Sequence, residues 1–272
     1  MDPGRPGDDE ATAQRAEAVA RSTLQYGPRT RRLRRFWRTL PTSPRCKLCT
    51  SPFSGPAGSL LKLVGKGPWP PNPRYCRWCF KELYERRTGA EIECTLFFAD
   101  IRGSTHMAET MHAREFRVRM ERFYETAAKI LVEHEAIVDK FVGDEVIGIF
   151  IPALAGDMHA RRAIDAGIEL LRATGHGTNS IWAPIGIGVN TGVAYVGAVG
   201  TAEQVEFSAL GDPVNVTARL ASAAAAGELL ATTSAARAAG LSDQGLEHRL
   251  LDLKGKSVAT DVLVLNAGTP HG

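Results

Sequence analysis

The chain has 272 residues, 44% hydrophobic and 23% charged, which excludes a wholly disordered polypeptide and leaves room for one mid-sized domain plus a small module. Its net charge of +3 hides a split: 14 Lys/Arg and no acidic residue from Ala18 to Lys81, against 17 Lys/Arg and 25 Asp/Glu from Glu82 onward. Such a division points to two parts with different partners.

The opening stretch, Met1 to Glu10, is polar and acidic and has no apolar signal-peptide core. Residues 1–28 are Ala-rich with little pattern and read as a flexible tail, within which Ala11 to Leu24 has the composition of a short helix. From Arg29 to Leu40, the residues Leu33, Phe36, Trp37 and Leu40 recur at i, i+3, i+4 and i+7, surrounded by arginines and stopped by Pro41. Two readings of this basic amphipathic helix stand side by side. Segment 29–38 lies against an anionic partner, nucleic acid or a membrane surface, or its stripe packs on the adjoining module while the arginines stay solvated.

Four of the five cysteines form two tight pairs, Cys46-x2-Cys49 and Cys76-x2-Cys79, with 26 residues between them. Four thiolates in this pattern suit a closed structural zinc site; redox thiols or an iron–sulfur cluster are the alternatives. Paired cysteines fit a reducing compartment, so a cytoplasmic location is expected. The Gly/Pro content from Ser51 to Pro73 predicts a looped excursion, and Cys94, alone on a predicted strand, a small buried hydrophobe.

After the linker Arg86–Gly89 the pattern becomes a regular alternation of strands and helices. Ile92–Phe98 reads as a strand ending at Asp100, Arg114–Glu133 as a helix, and Ala136–Ile151 as a hairpin broken at Gly143-Asp144. Asp157–Ala173 is helical; Ile185–Val189 and Val193–Val199 are two strands. The uncharged stretch Ala173–Ala202 holds seven glycines and alternates as strands do, so it is not a bilayer span. A helix starts at Asp212-Pro213, and Glu228–Thr232, His248–Leu253 and Asp261–Leu265 complete the strands.

Several residues at the breaks carry chemistry. Asp100 closes a strand before the small-residue turn Ile101–Thr105, and Asp144 sits in a hairpin turn. Each alone suits a turn cap; brought together they suit two divalent cations for phosphoryl chemistry. Asn215 and Arg219, four apart on one helix, share a face suited to a ribose and an oxyanion, or to solvent. Lys254 lies at a tight turn near the end. The run Gly186-x-Gly-x-x-x-Gly192 has one residue too many for a dinucleotide fingerprint.

Five segments in order resemble the class III adenylyl/guanylyl cyclase catalytic domain: Phe98–Thr105, Asp139–Asp144, Gly186–Gly192, Leu210–Arg219 and Leu253–Lys256. The resemblance, which runs from about Ile92 to Leu265, implies a ferredoxin-like (βαββαβ-type) cyclase domain over 91–267; with the basic helix and small four-cysteine zinc module read over 29–88, the chain is expected to be α+β. It also implies that Asp100, Asp144 and the Ile101 carbonyl hold two Mg2+ or Mn2+ ions, and that Lys140 and Ser208 read the base. Asn215 and Arg219 take the ribose-orienting and transition-state roles, and Lys254 binds the triphosphate. Partners are then ATP and a second copy of the chain, in a homodimer with two shared sites.

A lysine ammonium only donates, so Lys140 suits the N1 acceptor of adenine and opposes the N1–H of guanine. Ser208 departs from the aspartate or threonine common in adenylyl members, and its hydroxyl both donates and accepts. Adenylate cyclase is the expected activity; a guanylate cyclase or an inactive nucleotide- or nucleic-acid-binding regulator are the alternatives.

Overall fold

The computed structural model describes residues 6–25, 28–40, 42–70, 72–86, 89–201, 204–253 and 258–269. They fall into two compact units, Met1–Ile92 with Tyr195–Ala209, and Glu93–Ala194 with Leu210–Gly272.

In the first unit, α1 (Pro6–Gln25) and α2 (Pro28–Arg38) precede the first cysteine pair. The helix α1 occupies the stretch expected to be a flexible tail. The helix α2 packs on the module with only part of its expected apolar stripe: Trp37 and Leu40 are half-buried, Leu33 and Phe36 are exposed, and Arg34 is fully buried. Its guanidinium donates to the Leu48 carbonyl, and its own carbonyl accepts from Thr50 Oγ1 at 3.2 Å. Arg45 donates to the Trp37 carbonyl at 2.7 Å and to that of Leu40, tying down carbonyls the helix end leaves open. Between the cysteine pairs, α3 (Gly55–Leu63) replaces the predicted loop: Pro56 sits in its first turn, where a missing N–H costs nothing. The hairpin β1 (Pro68–Trp69) and β2 (Asn72–Cys76) then leads into α4 (Arg77–Arg86).

The remaining elements are β3 (Gly89–Ile101), α5 (Ser104–Thr110), α6 (Ala113–Glu133), β4 (Ile137–Val142), β5 (Glu145–Phe150), α7 (Pro152–Ala155) and α8 (His159–Ala173). Then come β6 (Ile185–Gly200), β7 (Val205–Leu210), α9 (Asp212–Ala223), β8 (Leu229–Thr232), α10 (Thr233–Ala238), β9 (Glu247–Leu251) and β10 (Thr260–Leu265). Among the described residues one eight-stranded sheet has the order β4-β5-β3-β6-β8-β10-β9, with β7 paired to β6. The succession β3-α6-β4-β5-α8-β6 with its sheet order β4-β5-β3-β6 is the βαββαβ arrangement that was expected.

Strand alternation sorts the core of the second unit into two layers. Phe97, Ala99, Ile101, Leu229, Ala231, Leu263 and Leu265 meet the apolar faces of α6 and α8, where Met120, Phe123, Ala127, Ile130 and Leu131 repeat at helical spacing on α6. The opposite face, with Leu230 and Val262, receives Val216 and Leu220 of α9. A side chain at Gly188 would place its Cβ 2.5 Å from the Thr217 carbonyl oxygen and the Ala221 nitrogen, so only glycine lets α9 lie this close to β6.

The strand β6 runs unbroken through Asn190-Thr191-Gly192, where a break between two strands was expected. Buried partners hold the polar residues in extended form. Thr95 Oγ1 bridges Thr191 Oγ1 and His159 Nδ1, each at 2.8 Å, while Asn190 accepts from Thr232 Oγ1 at 2.9 Å and donates to the Pro213 carbonyl at 3.2 Å. This last bond reaches the first turn of α9. Cys94 is fully buried, as expected, and burial pushes its thiol up to about 12. No described helix is long and apolar enough to cross a membrane.

Burial lowers the pKa of His159 below its ordinary value, against the pull of Glu93. The stability this neutral imidazole contributes is therefore complete above its unfolded pKa of about 6.5 and lost as pH falls through the folded value. Denaturation midpoints of wild type and His159→Gln should lie apart at neutral pH and converge as pH is lowered. A gap that stays constant with pH would contradict this.

Candidate active site

The acidic cluster is built by register. The strands β3 and β5 pair antiparallel so that Asp100 stands opposite Glu145. Between β4 and β5 the turn needs Gly143 at φ 60°, and it delivers Asp144 beside the end of β3. The Ile101 amide donates to the Asp144 carbonyl at 3.4 Å, which sets Asp144 beside Asp100. The structure thus brings Asp100, Ile101 and Asp144 together.

Crowding raises proton affinity here. Burial first, and then the neighbouring Asp144 carboxyl, push Asp100 up to about 6, while the Arg102 guanidinium pulls the other way. Glu145 rises to about 7 through burial and the charges of Asp100 and Asp144. Tyr124 closes the turn by donating to the Gly143 carbonyl; burial, and next the Asp144 charge, raise its own pKa. An all-oxygen set of this kind is a ready receptor for hard cations.

The sequence motifs do not single out Arg102 and Glu145. Arg102 pairs with Asp100 Oδ2 at 2.6 Å and also donates to the Ala221 and Ser222 carbonyls, at 2.9 and 3.1 Å, in the last turn of α9. It therefore joins the acidic cluster to the C-terminal end of the helix that carries Asn215 and Arg219, where a cation also meets the negative end of the helix dipole. Its signal in the sequence is a basic residue two positions after a strand-terminal aspartate.

On α9, Asn215 is exposed and Arg219 half-buried, one turn apart on the face that Val216 and Leu220 turn away from. Lys140 projects from β4 with its ammonium 3.5 Å from Asp139, whose carboxylate is nearly buried. Ser208 lies buried on β7, in the first unit. Lys254 falls outside the described residues.

The four cysteines Cys46, Cys49, Cys76 and Cys79 also come together, with all sulfurs within 4.8 Å of one another. The first pair lies in a turn where the Cys46 amide donates to the Ser51 carbonyl; the second opens α4, and the Cys76 and Cys79 amides donate to the sulfurs of Cys46 and Cys76. Hydrogen bonding from Cys46 lowers the Cys76 thiol to about 7 and holds that of Cys49 well below its ordinary value. The Cys49–Cys76 separation of 3.7 Å excludes a disulfide and suits two vertices of a tetrahedron with metal–sulfur bonds of about 2.3 Å.

Residues 88–263 match the family model described as the adenylate and guanylate cyclase catalytic domain. The chain belongs to that family. Among curated relatives, the terminal-differentiation-specific adenylate cyclase of Dictyostelium discoideum is 31% identical over 179 residues, and adenylate cyclase 1 of Rhizobium meliloti 28% over 134. The matches cover 62% and 47% of this chain but only 8% and 20% of those proteins. Among solved structures, the adenylyl cyclase CyaB from P. aeruginosa is 27% identical at a TM-score of 0.58, covering 68% of this chain and all of that one. The guanylyl cyclase Cya2 is 26% identical at 0.59, covering 67% of this chain and 96% of its own. The family thus includes proteins named for either nucleotide, and the family match itself spans both units.

Within the cyclase domain, replacing Arg102 removes its bonds to Asp100 and to the end of α9 together. Arg102→Gln should lower unfolding stability by about 2 kcal/mol, measured by urea denaturation, because charge-assisted bonds are lost from a partly buried acid. Unchanged stability would show that the acids do not depend on it.

Proposed function

We propose that this chain is an adenylate cyclase that forms 3′,5′-cyclic AMP and pyrophosphate from ATP, at two sites shared across a homodimer. The placing of Asp100, Ile101 and Asp144 side by side at the end of β3 carries this reading, because oxygen donors of this kind suit Mg2+ or Mn2+. Asp100, Asp144 and the Ile101 carbonyl would hold two divalent ions, which when bound would supply acidity to the ribose 3′-hydroxyl and offset charge on the triphosphate.

The side chains then divide the work as the family resemblance assigns it. Asn215 orients the ribose. As the 3′-oxygen attacks the α-phosphorus and the bond to pyrophosphate breaks, Arg219 faces the charge that grows there. Lys254 grips the triphosphate that leaves as pyrophosphate. Lys140 donates to adenine N1, and Ser208 accepts from the N6 amino group; guanine, protonated at N1, meets a donor with a donor. Each protomer gives its acids to one site and its Lys140, Ser208, Asn215, Arg219 and Lys254 to the other. The four-cysteine cluster is read as a structural Zn2+ site, supported by its sulfur spacing and its closed set of four ligands.

Purified protein with Mg2+ or Mn2+ should turn over ATP with a kcat/KM about tenfold or more above that for GTP, because a mispaired donor costs a hydrogen bond and its desolvation. Equal rates would make it a cyclase of mixed specificity, and no product from either would make it a binding protein.

Asp100→Ala and Asn215→Ala homodimers should each lose roughly a hundredfold or more in rate. Mixing them should restore activity at about one quarter of the sites by random subunit exchange. No recovery despite demonstrated exchange would rule out shared sites.

A further inference from the structure

The four-cysteine module touches the strand that carries Ser208, and it does so through residues placed directly beside its thiols. Lys47 lies between Cys46 and Cys49, and Tyr75 immediately precedes Cys76. The Tyr75 side chain is completely buried and that of Lys47 nearly so, and the Lys47 amide donates to the Arg74 carbonyl at 2.8 Å, joining the two cysteine segments.

These two side chains take hold of a single residue of β7. The Phe207 amide donates to Tyr75 Oη at 3.0 Å, and the Phe207 carbonyl accepts from Lys47 Nζ at 3.2 Å. The Tyr75 hydroxyl donates in turn to Glu206 Oε2 at 2.9 Å, and the Lys47 and Arg74 cations stand 3.8 and 3.6 Å from the same carboxylate. In a strand the N–H and C=O of one residue point to the same side. The pair on Phe207 therefore marks the edge of β7 directed at the module, while the strand's partner is β6. The module satisfies an edge that would otherwise expose its backbone groups.

Ser208 is the next residue, 3% exposed. Its position along and across the strand is set by the backbone that Lys47 and Tyr75 grip. We propose that Lys47 and Tyr75 are positioning residues for the purine: by fixing the backbone of Phe207, the four-cysteine module determines where the Ser208 hydroxyl meets the base. The inference rests on the reading of Ser208 as a base-facing residue. Neither side chain touches the reacting atoms, so the effect falls on nucleotide binding rather than on the chemical step. The module is then part of the substrate site, and not an appendage of it.

The test is binding of 3′-deoxy-ATP, which lacks the attacking hydroxyl and cannot cyclise, measured by calorimetry on the full chain alongside ATP kinetics. Tyr75→Phe keeps the ring and removes both hydrogen bonds; Lys47→Met keeps the stem and removes the ammonium. Each should weaken binding and raise KM about three- to tenfold, the worth of one or two hydrogen bonds, with kcat within about twofold and metal content per chain unchanged. Ser208→Ala should weaken binding similarly, and Tyr75→Phe added to it should cost little more, because both act through one hydroxyl.

Weakened binding by Ser208→Ala, with wild-type binding by both Tyr75→Phe and Lys47→Met, would overturn this inference and leave the cyclase reading intact. Full additivity of Ser208→Ala and Tyr75→Phe would also overturn it. No binding by the wild type, or binding by Ser208→Ala as tight as the wild type's, would remove the base-reading role beneath it and the inference as well. If Tyr75→Phe loses metal or fails to fold, Lys47→Met alone decides the question.

Discussion

Three carboxylates, Asp100, Asp144 and Glu145, are held together by strand register and a glycine turn against their mutual repulsion. Burial disfavours the ionised state of Asp100 and Glu145, and the neighbouring carboxylates add to the penalty, so both hold their protons more tightly than usual. The β-sheet is what keeps them from separating. Asp100 cannot leave Glu145 without breaking the β3–β5 ladder, and Asp144 is carried by the only two residues of the hairpin turn. Arg102 relieves part of the repulsion and directs its other donors at the Ala221 and Ser222 carbonyls. The charge state of the acids and the seat of α9 are thereby coupled through one guanidinium. The same helix is seated a second time by Gly188 and by the bond from Asn190 to the Pro213 carbonyl. Asn215 and Arg219 thus sit on a helix fixed at both ends, which is what preorganised polar groups require.

Much of this was legible in the sequence because the signals were local. The hairpin around Gly143-Asp144, the apolar stripe of α6 and the Asp212-Pro213 start of α9 each rest on spacing or turn chemistry within a few residues. What stayed hidden depends on distant partners. Asn190-Thr191-Gly192 has turn composition, yet it is extended, since Thr95, Thr232 and Pro213 supply hydrogen bonds from up to about a hundred residues away. Arg34 reads as a solvated charge on a basic helix, but the Leu48 carbonyl receives it inside the module. Glu145 follows Asp144 without any motif of its own; only the register with Asp100 reveals it.

The acidic cluster and the four-cysteine cluster solve a common problem by different means. Both crowd groups that repel one another when ionised, and the crowding displaces their proton affinities from ordinary values. The acids sit half-buried at the end of β3 and around the β4–β5 turn, and their hard oxygen donors are of the kind that suits a hard cation. The thiols are enclosed by Phe53, Leu48 and their own backbone amides, with four soft donors facing inward. Softness and closure suit a permanent structural ion; hardness suits ions that accompany a nucleotide.

Around the thiols, the apolar cluster of described residues is small, and contacts from β7 add to it. Cys46, Phe53 and Cys76, packed with Leu48, Cys49 and Cys79, make up that cluster. Small folds of this kind need cross-links, metal or borrowed surface to become stable. Here the compact unit extends beyond the first 92 residues to take in Tyr195–Ala209, more than a hundred positions downstream. The borrowed piece gives Glu206 to Tyr75, Lys47 and Arg74, and gives the backbone of Phe207 to Tyr75 and Lys47. Two buried polar side chains that lacked such partners would each cost more than a hydrogen bond is worth in water. The module and this strand are therefore mutually dependent: one supplies the cations and a hydroxyl, the other an acid and a strand edge.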